Sequence, residues 1–441
     1  MPGKDKKRPK LDLNIFPGNW TVTNDRMFKA FDLSFAQNWN PATFPWDELD
    51  QKNFDSKERI AQAYWMSKLA LFEKSGIGAF GFGAVRAAEL NMEDPTKKML
   101  ASITYDECRH DEVCRRACDK LCPNWPYGYK PQSDFESRAL RNIKALYDDG
   151  RRYWEGFLKA WEYLPPEILF AGFFFAEIGA ETIFNAMRQT SKLGIYQQTF
   201  RNITRDETRH LVATMALLRA MAEKFSEEQK MTITRQMKQG FIFLSPLLYQ
   251  HKPEFWHLPA DFDKVDQEME EAARDAGLGV LTLEEKVKFW KDAIEKKRSE
   301  IEEMGIKVPA IPELGVEGEV VQVKKNETIA TSFWEVLKMT KIIVLFGQPK
   351  DPKLFDEQYW KDHVPMAKAM PGLKKYTVNK VVGAPRGEPA YYQVVELEFE
   401  NMDSLKKALE SPAGRESGRH GVKIGTGGIT FLYAESRDAM L

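Results

Sequence analysis

Histidine and cysteine are scarce in this chain: six and four among 441 residues. All four cysteines fall between Cys108 and Cys122, and no two are spaced C-x-x-C. That spacing excludes zinc-ribbon and iron–sulfur frameworks. Cys114, Cys118 and Cys122 recur every four residues, one stripe down a helix, and read as buried, reduced thiols. There is no G-x-G-x-x-G on a strand–helix unit, the fingerprint of a dinucleotide site. The net charge of −1 leaves no basic field for nucleic acid and no acidic tail. No uncharged run reaches the roughly 20 residues needed to span a bilayer. The basic opening, Met1 to Lys10, lacks the apolar core of a secretory signal and reads as a solvated arm. The expectation is a cytoplasmic protein that binds neither nucleic acid nor membrane.

What is present is a duplicated pentapeptide. Asp106-Glu107-Cys108-Arg109-His110 is followed one hundred residues later by Asp206-Glu207-Thr208-Arg209-His210. Each copy reads D-E-x-R-H and contains Glu-x-x-His. Three residues of α-helix advance about 300°, so Glu and His leave the same face. A single Glu-x-x-His on a charged helix is usually a solvated pair. Two copies are not, when each follows a carboxylate on an apolar segment. Glu73 ends the run from Tyr64, and Glu177 ends the run Ile168 to Ala176. A helix apolar all round is buried, and a carboxylate there is costly unless neutralised, paired or metal-bound. The gaps from Glu73 to Glu107 and from Glu177 to Glu207 suit antiparallel helix pairs turning near Asp94-Pro95 and Gly194. Glu181 lies one turn beyond Glu177, on the same face.

At 441 residues, 43% of them hydrophobic, the chain can build a large core and two or three domains. Residues 1–55 read as an irregular N-terminal arm. Residues 56–250 read as a helical bundle, with helices over about 57–88, 95–121, 133–162, 165–191, 195–224 and 226–249. Residues 251–335 form a helical extension, with helices over about 262–276 and 282–304, and a linker. Residues 336–441 change pattern: strands at 342–346, 376–382, 391–399 and 428–433 alternate with helices at 354–369 and 402–409. That β-α-β-β-α-β order is ferredoxin-like.

The paired motifs resemble those of ferritin-like di-iron proteins, which take a Glu-x-x-His from each of two helices and a Glu from each of two more. They are most similar to the hydroxylase subunits of bacterial multicomponent monooxygenases. The resemblance implies metal ligands Glu73, Glu107, His110, Glu177, Glu207 and His210, with Asp106, Asp206, Arg109 and Arg209 supporting them. It implies two iron ions, or manganese at one or both positions, and O2 as co-substrate. That family commonly has Thr where this chain has Glu181, so Glu181 becomes a candidate catalytic proton donor or further ligand.

The stretches Tyr359–Pro365, Pro371–Tyr376 and Ser411–Arg415 resemble the EthD-like dimeric α+β barrels, which implies a homodimer or higher oligomer. His363 is either structural or catalytic there. The implied fold is mainly α: a ferritin-like bundle with a C-terminal ferredoxin-like domain. The implied activity is O2-dependent oxygenation of a small organic substrate, with electrons from an external reductase or ferredoxin. A ferroxidase and a radical generator like the ribonucleotide reductase small subunit are the alternatives. Phe72, Phe80, Phe82, Phe173, Phe174 and Phe175 are candidates for an apolar substrate pocket.

Overall fold

Helix α2 (Ser56–Glu89) begins at a capping box: Asp55 accepts from the Glu58 amide at 2.8 Å and Glu58 accepts from the Asp55 amide at 2.9 Å. Every residue from Ile60 to Ala70 is buried, as its apolar sequence requires. Lys68 in that run is not a lone charge. Its Nζ donates to both oxygens of Asp266 at 2.8 and 2.9 Å and lies 4.2 Å from the Trp65 ring centroid. The computed structural model describes residues 25–161, 166–248, 251–253, 255–323, 340–399 and 402–435, without side-chain detail at 153, 155–161, 166–168 and 435.

The chain divides into two compact units, Met1–Ser332 and Phe333–Leu441. In the first, α2 pairs with α3 (Asp94–Leu121) and α5 (Pro166–Thr190) with α6 (Gly194–Ala222); α3 meets α6 and α2 meets α5. Prolines at the starts of α3 and α5 fit the first helical turn, where an amide has no partner to lose. α4 (Asp134–Trp161) lies on α2, and α7 (Glu227–Leu248) on α5. α8 (Phe262–Asp275) packs on α2 and α4, and α9 (Leu283–Glu302) on α5 and α7, so the extension belongs to the same unit as the bundle.

One helix among the described residues, Leu169–Thr190, is long and apolar enough to cross a membrane, and most of it is buried inside the bundle. The cysteines are free. Cys114, Cys118 and Cys122 are buried, with burial pushing the thiols of Cys118 and Cys122 up to about 12. Cys108, outside that stripe, is exposed.

The N-terminal arm is more regular than expected. Asp25–Ala36 forms α1, which lies on α3 and α6 and buries Met27 and Ala30. Three short 3-10 turns follow, before Asp55.

In the second unit four antiparallel strands stand in the order β2-β3-β1-β4: β1 Thr340–Gly347, β2 Leu373–Lys380, β3 Tyr391–Phe399 and β4 Ile429–Glu435. Between β1 and β2 run α10 (Pro352–Gln358), a π-helical turn (Tyr359–His363) and α11 (Val364–Lys368). Between β3 and β4 run α12 (Met402–Glu410) and α13 (Pro412–Ile424), the second of which the sequence reading lacks. This is the ferredoxin-like topology. Ile342, Val344, Phe346, Val395, Leu397 and Phe399 pack beneath the helices. The opposite sheet face carries Ile343, Leu345, Val394 and a 46% exposed Leu432. His363 is buried against Tyr359 and stacks on His420. Burial, then the neighbouring His420, lowers its pKa to about 4.

Candidate metal centre

The two pentapeptides face each other across the α3–α6 contact. With Glu73 from α2 and Glu177 from α5 they form two overlapping sets of four ligating side chains, all buried. One set is Glu73, Glu107, His110 and Glu207; the other is Glu107, Glu177, Glu207 and His210. In each set the donor atoms lie within 4.8 Å of one another. Glu107 and Glu207 belong to both sets, which is where bridging carboxylates would stand. His110 Nδ1 lies 3.0 Å from Glu73 and 3.1 Å from Glu207. His210 Nδ1 lies 3.4 Å from Glu177 and 3.5 Å from Glu107.

The outer imidazole nitrogens are held crosswise. His210 Nε2 meets Asp106 of the other motif at 3.0 Å, and His110 Nε2 meets Asp206 at 3.4 Å. Each aspartate accepts the Nε2–H, which turns the Nδ1 lone pair toward the cluster. Arg109 and Arg209 each contact both aspartates, including Arg109–Asp206 at 3.1 Å and Arg209–Asp206 at 3.0 Å. Burial alone would raise the Asp106 carboxyl. The hydrogen bond from His210 and the two guanidiniums outweigh it and hold Asp106 well below the usual carboxylate range. The segment after α1 closes this lattice: Trp39 Nε1 donates to Asp206 at 2.7 Å, Asn38 accepts from Arg109 at 2.7 Å and Gln37 from Arg209 at 2.5 Å. Sequence reading missed these three residues. Their one signal was an indole within a run of amides, Gln37-Asn38-Trp39-Asn40.

The inner carboxylates fit divalent cations. Glu177 Oε2, both Glu207 oxygens and His210 Nδ1 are buried without a hydrogen-bond partner. A buried ionic group in that state costs several kcal/mol. The four glutamates and two aspartates carry four negative charges beyond what the two arginines neutralise, a surplus that two divalent ions would cancel. With protein groups alone, burial and then the Glu207 charge push Glu107 up to about 7. Burial also raises Glu73, with the Glu107 charge, and Glu177, with the Glu207 charge.

An apolar cavity of about 180 Å³ opens on Glu73, Glu107 and Glu177. Phe72, Phe80, Phe173 and Phe175 line it. Phe174 instead packs in the main core, and Phe82 is 42% exposed. Consecutive helical residues are about 100° apart, so a run of phenylalanines cannot all face one cavity. Glu181 is not among the ligating sets and does not line the cavity. Its carboxyl is raised by burial, and its charged neighbours include Lys296 and Lys297 of α9 as well as Glu207. Tyr105, beside Asp106, is 59% exposed and stacks on Arg109.

Gly76, Gly78 and Gly81 spell G-x-G-x-x-G inside α2, where no phosphate loop exists. A Cβ at Gly76 would stand 2.5 Å from Glu107 Oε2, and one at Gly78 would enter the Trp154 ring. Gly76→Ala should therefore displace Glu107, the clash opposing the up to about 1 kcal/mol that helix propensity favours. Metal retained after dialysis against a chelator should fall. Unchanged retention would show that Glu107 shifts without penalty.

These features define a class: a ferritin-like helical bundle with a dinuclear-type carboxylate–histidine cluster, joined to a ferredoxin-like α+β domain. Residues 348–424 match the EthD domain, so the C-terminal part of the chain carries an EthD domain. An uncharacterised 11.0 kDa protein from the thcB–thcC intergenic region of Rhodococcus erythropolis is 26% identical over 102 residues, 23% of this chain and 99% of its own. An EthD-family crystal structure from Bacillus halodurans is 33% identical, covering 22% of this chain and 99% of its own, with a TM-score of 0.22. An R2-like ligand-binding oxidase variant, aerobically reconstituted with an Mn/Fe cofactor, covers 62% of this chain and 92% of its own at 15% identity, with a TM-score of 0.45.

Proposed function

We propose that the chain is an O2-dependent di-metal oxygenase acting on a small, largely apolar organic molecule. The observation that carries this reading is the apolar cavity ending on three of the clustered carboxylates. In this reading Glu73, Glu107, His110 and Glu207 hold one ion, and Glu107, Glu177, Glu207 and His210 the other. Iron at both positions, or manganese at one or both, suits a carboxylate–imidazole set. Bound metal would supply the electron transfer to O2 that these side chains cannot perform. Asp106 and Asp206 keep the imidazoles in the ligating tautomer, and Arg109 and Arg209 keep those aspartates charged. The phenylalanine wall keeps water from the reacting face. One oxygen atom enters the substrate and the other leaves as water, with two protons and two electrons taken up. The electrons come, in this reading, from an external reductase or ferredoxin.

The test is oxygen uptake by iron-loaded protein with a chemical reductant, across a panel of small aromatics and amines, with 18O2 incorporation read by mass spectrometry. Substrate-dependent uptake with one labelled atom in the product is expected. Iron loading far beyond the cluster's capacity, with no substrate dependence, would favour a ferroxidase. Gly240 faces open space at the cavity wall and supplies no ligand. Gly240→Leu should keep the metal content and lower substrate-stimulated uptake at least about tenfold, by filling the space that the substrate needs. Unimpaired uptake would place the substrate elsewhere.

The EthD-family domain is proposed as an assembly module, pairing the sheet face of Ile343, Leu345, Val394 and Leu432 with that of a second copy. Light scattering at micromolar concentration should give a dimer or larger species. Ile343→Lys with Leu432→Lys should give a monomer with undiminished metal content. A monomeric parent protein would refute the pairing.

A further inference from the structure

The cavity is not apolar throughout. Gln236, on the α7 wall, lines it and is only 8% exposed, and its side-chain oxygen is buried without a hydrogen-bond partner. Besides Glu177, no other described cavity-lining residue carries such an atom. Ser75, also at the wall, already donates to the Phe72 carbonyl of its own helix. A buried amide oxygen left unpaired costs about 1–3 kcal/mol, a penalty that a ligand donor can remove. Space for that ligand exists beside it. Gly240 follows Gln236 by one helical turn, Gly172 enters the same cavity from α5, and a side-chain carbon at either would meet nothing within 4 Å. The volume matches a single ring: an apolar cavity of about 150 Å³ is known to hold benzene.

We propose that Gln236 determines specificity by accepting a hydrogen bond from a hydroxyl or amine on an otherwise apolar, ring-sized substrate. The donor end of such a molecule is held at α7, while the carboxylates rise from α2, α3 and α5. The ring is thereby oriented with its apolar part toward the cluster. A molecule of the same shape without the donor leaves the amide oxygen unpaired and binds more weakly, as in any site built around a buried polar group.

This inference deepens the oxygenase reading and rests on it, but it is tested by equilibrium binding without O2. Phenol and toluene have nearly the same shape and differ in the donor. Calorimetric titration of the full-length protein under anaerobic conditions should show phenol bound at least about tenfold more tightly than toluene, a difference worth about 1.4 kcal/mol. Gln236→Leu, similar in volume, should abolish or reverse that preference. Gln236→Met should do the same, which guards against a folding defect in one variant; circular dichroism melts check both. A preference that survives both substitutions would show that the hydroxyl is read by the carboxylates, and would overturn the assignment. Failure of the parent protein to bind either probe, or to prefer phenol, would overturn it as well. Absence of O2 uptake would sink the oxygenase reading and leave this ratio untouched. An unchanged ratio would sink only the role of Gln236.

Discussion

Elemental analysis of His210→Ala, loaded anaerobically with ferrous iron and desalted, should find about one metal per chain where the parent holds about two. The asymmetry follows from membership. His210 belongs to one ligand set and His110 to the other, so either histidine can be removed while the second set keeps its four donors. Glu107 belongs to both sets. Glu107→Ala should therefore lose more metal than either histidine variant, down to less than one per chain. The order Glu107→Ala below His210→Ala below parent is the specific expectation. Equal metal content in all three proteins would remove the dinuclear assignment.

The second large effect concerns folding in the absence of metal. Asp106 accepts from Arg109, Arg209 and His210, and all four groups are buried. Asp106→Leu leaves two guanidiniums sharing Asp206 alone. Removing one partner of a buried ionic cluster typically costs about 3–5 kcal/mol, because charge is left without compensation. Denaturant melts of the metal-free protein should show a loss of that size. Adding Arg209→Met to Asp106→Leu should cost less than the two single losses combined, since it removes the orphaned charge. A loss below about 1 kcal/mol for Asp106→Leu would mean that the lattice behaves like an exposed ion pair.

The centre was legible in the sequence to the extent that its chemistry is local to a helix. Glu107 with His110, and Glu207 with His210, are three residues apart, so the motif itself places them side by side. Glu73 and Glu177 were reachable through hairpin geometry and the apolar runs that precede them. The crosswise pairing was not legible. Nothing near Asp106 indicates that its imidazole partner is His210 rather than His110, because that choice is made by the docking of α3 on α6. Helix α1 was hidden for a related reason. Its buried face is narrow, Met27 and Ala30, and the aromatic, proline-bearing segment after it reads as irregular. Helix α13 was hidden by Gly414, Gly418 and Gly421, which lower helix propensity by about 1 kcal/mol each. It forms because Ser411 caps it and because glycine lets it approach α12 closely: a Cβ at Gly414 would collide with the Ala408 carbonyl and the Leu409 backbone.

The crosswise pairing also sets an order of events at the ribosome. The contact between Asp106 and His210 spans 104 residues, and that between His110 and Asp206 spans 96. Chains emerge at about 5–20 residues per second. The first motif is therefore made roughly 5–20 s before the second, with which its aspartate and histidine pair across the α3–α6 contact. Neither hairpin can complete a metal set by itself, since each set draws on both. An early-arriving ion would meet three of one set's four donors, Glu73, Glu107 and His110, so that set is closed only by Glu207 of the second hairpin.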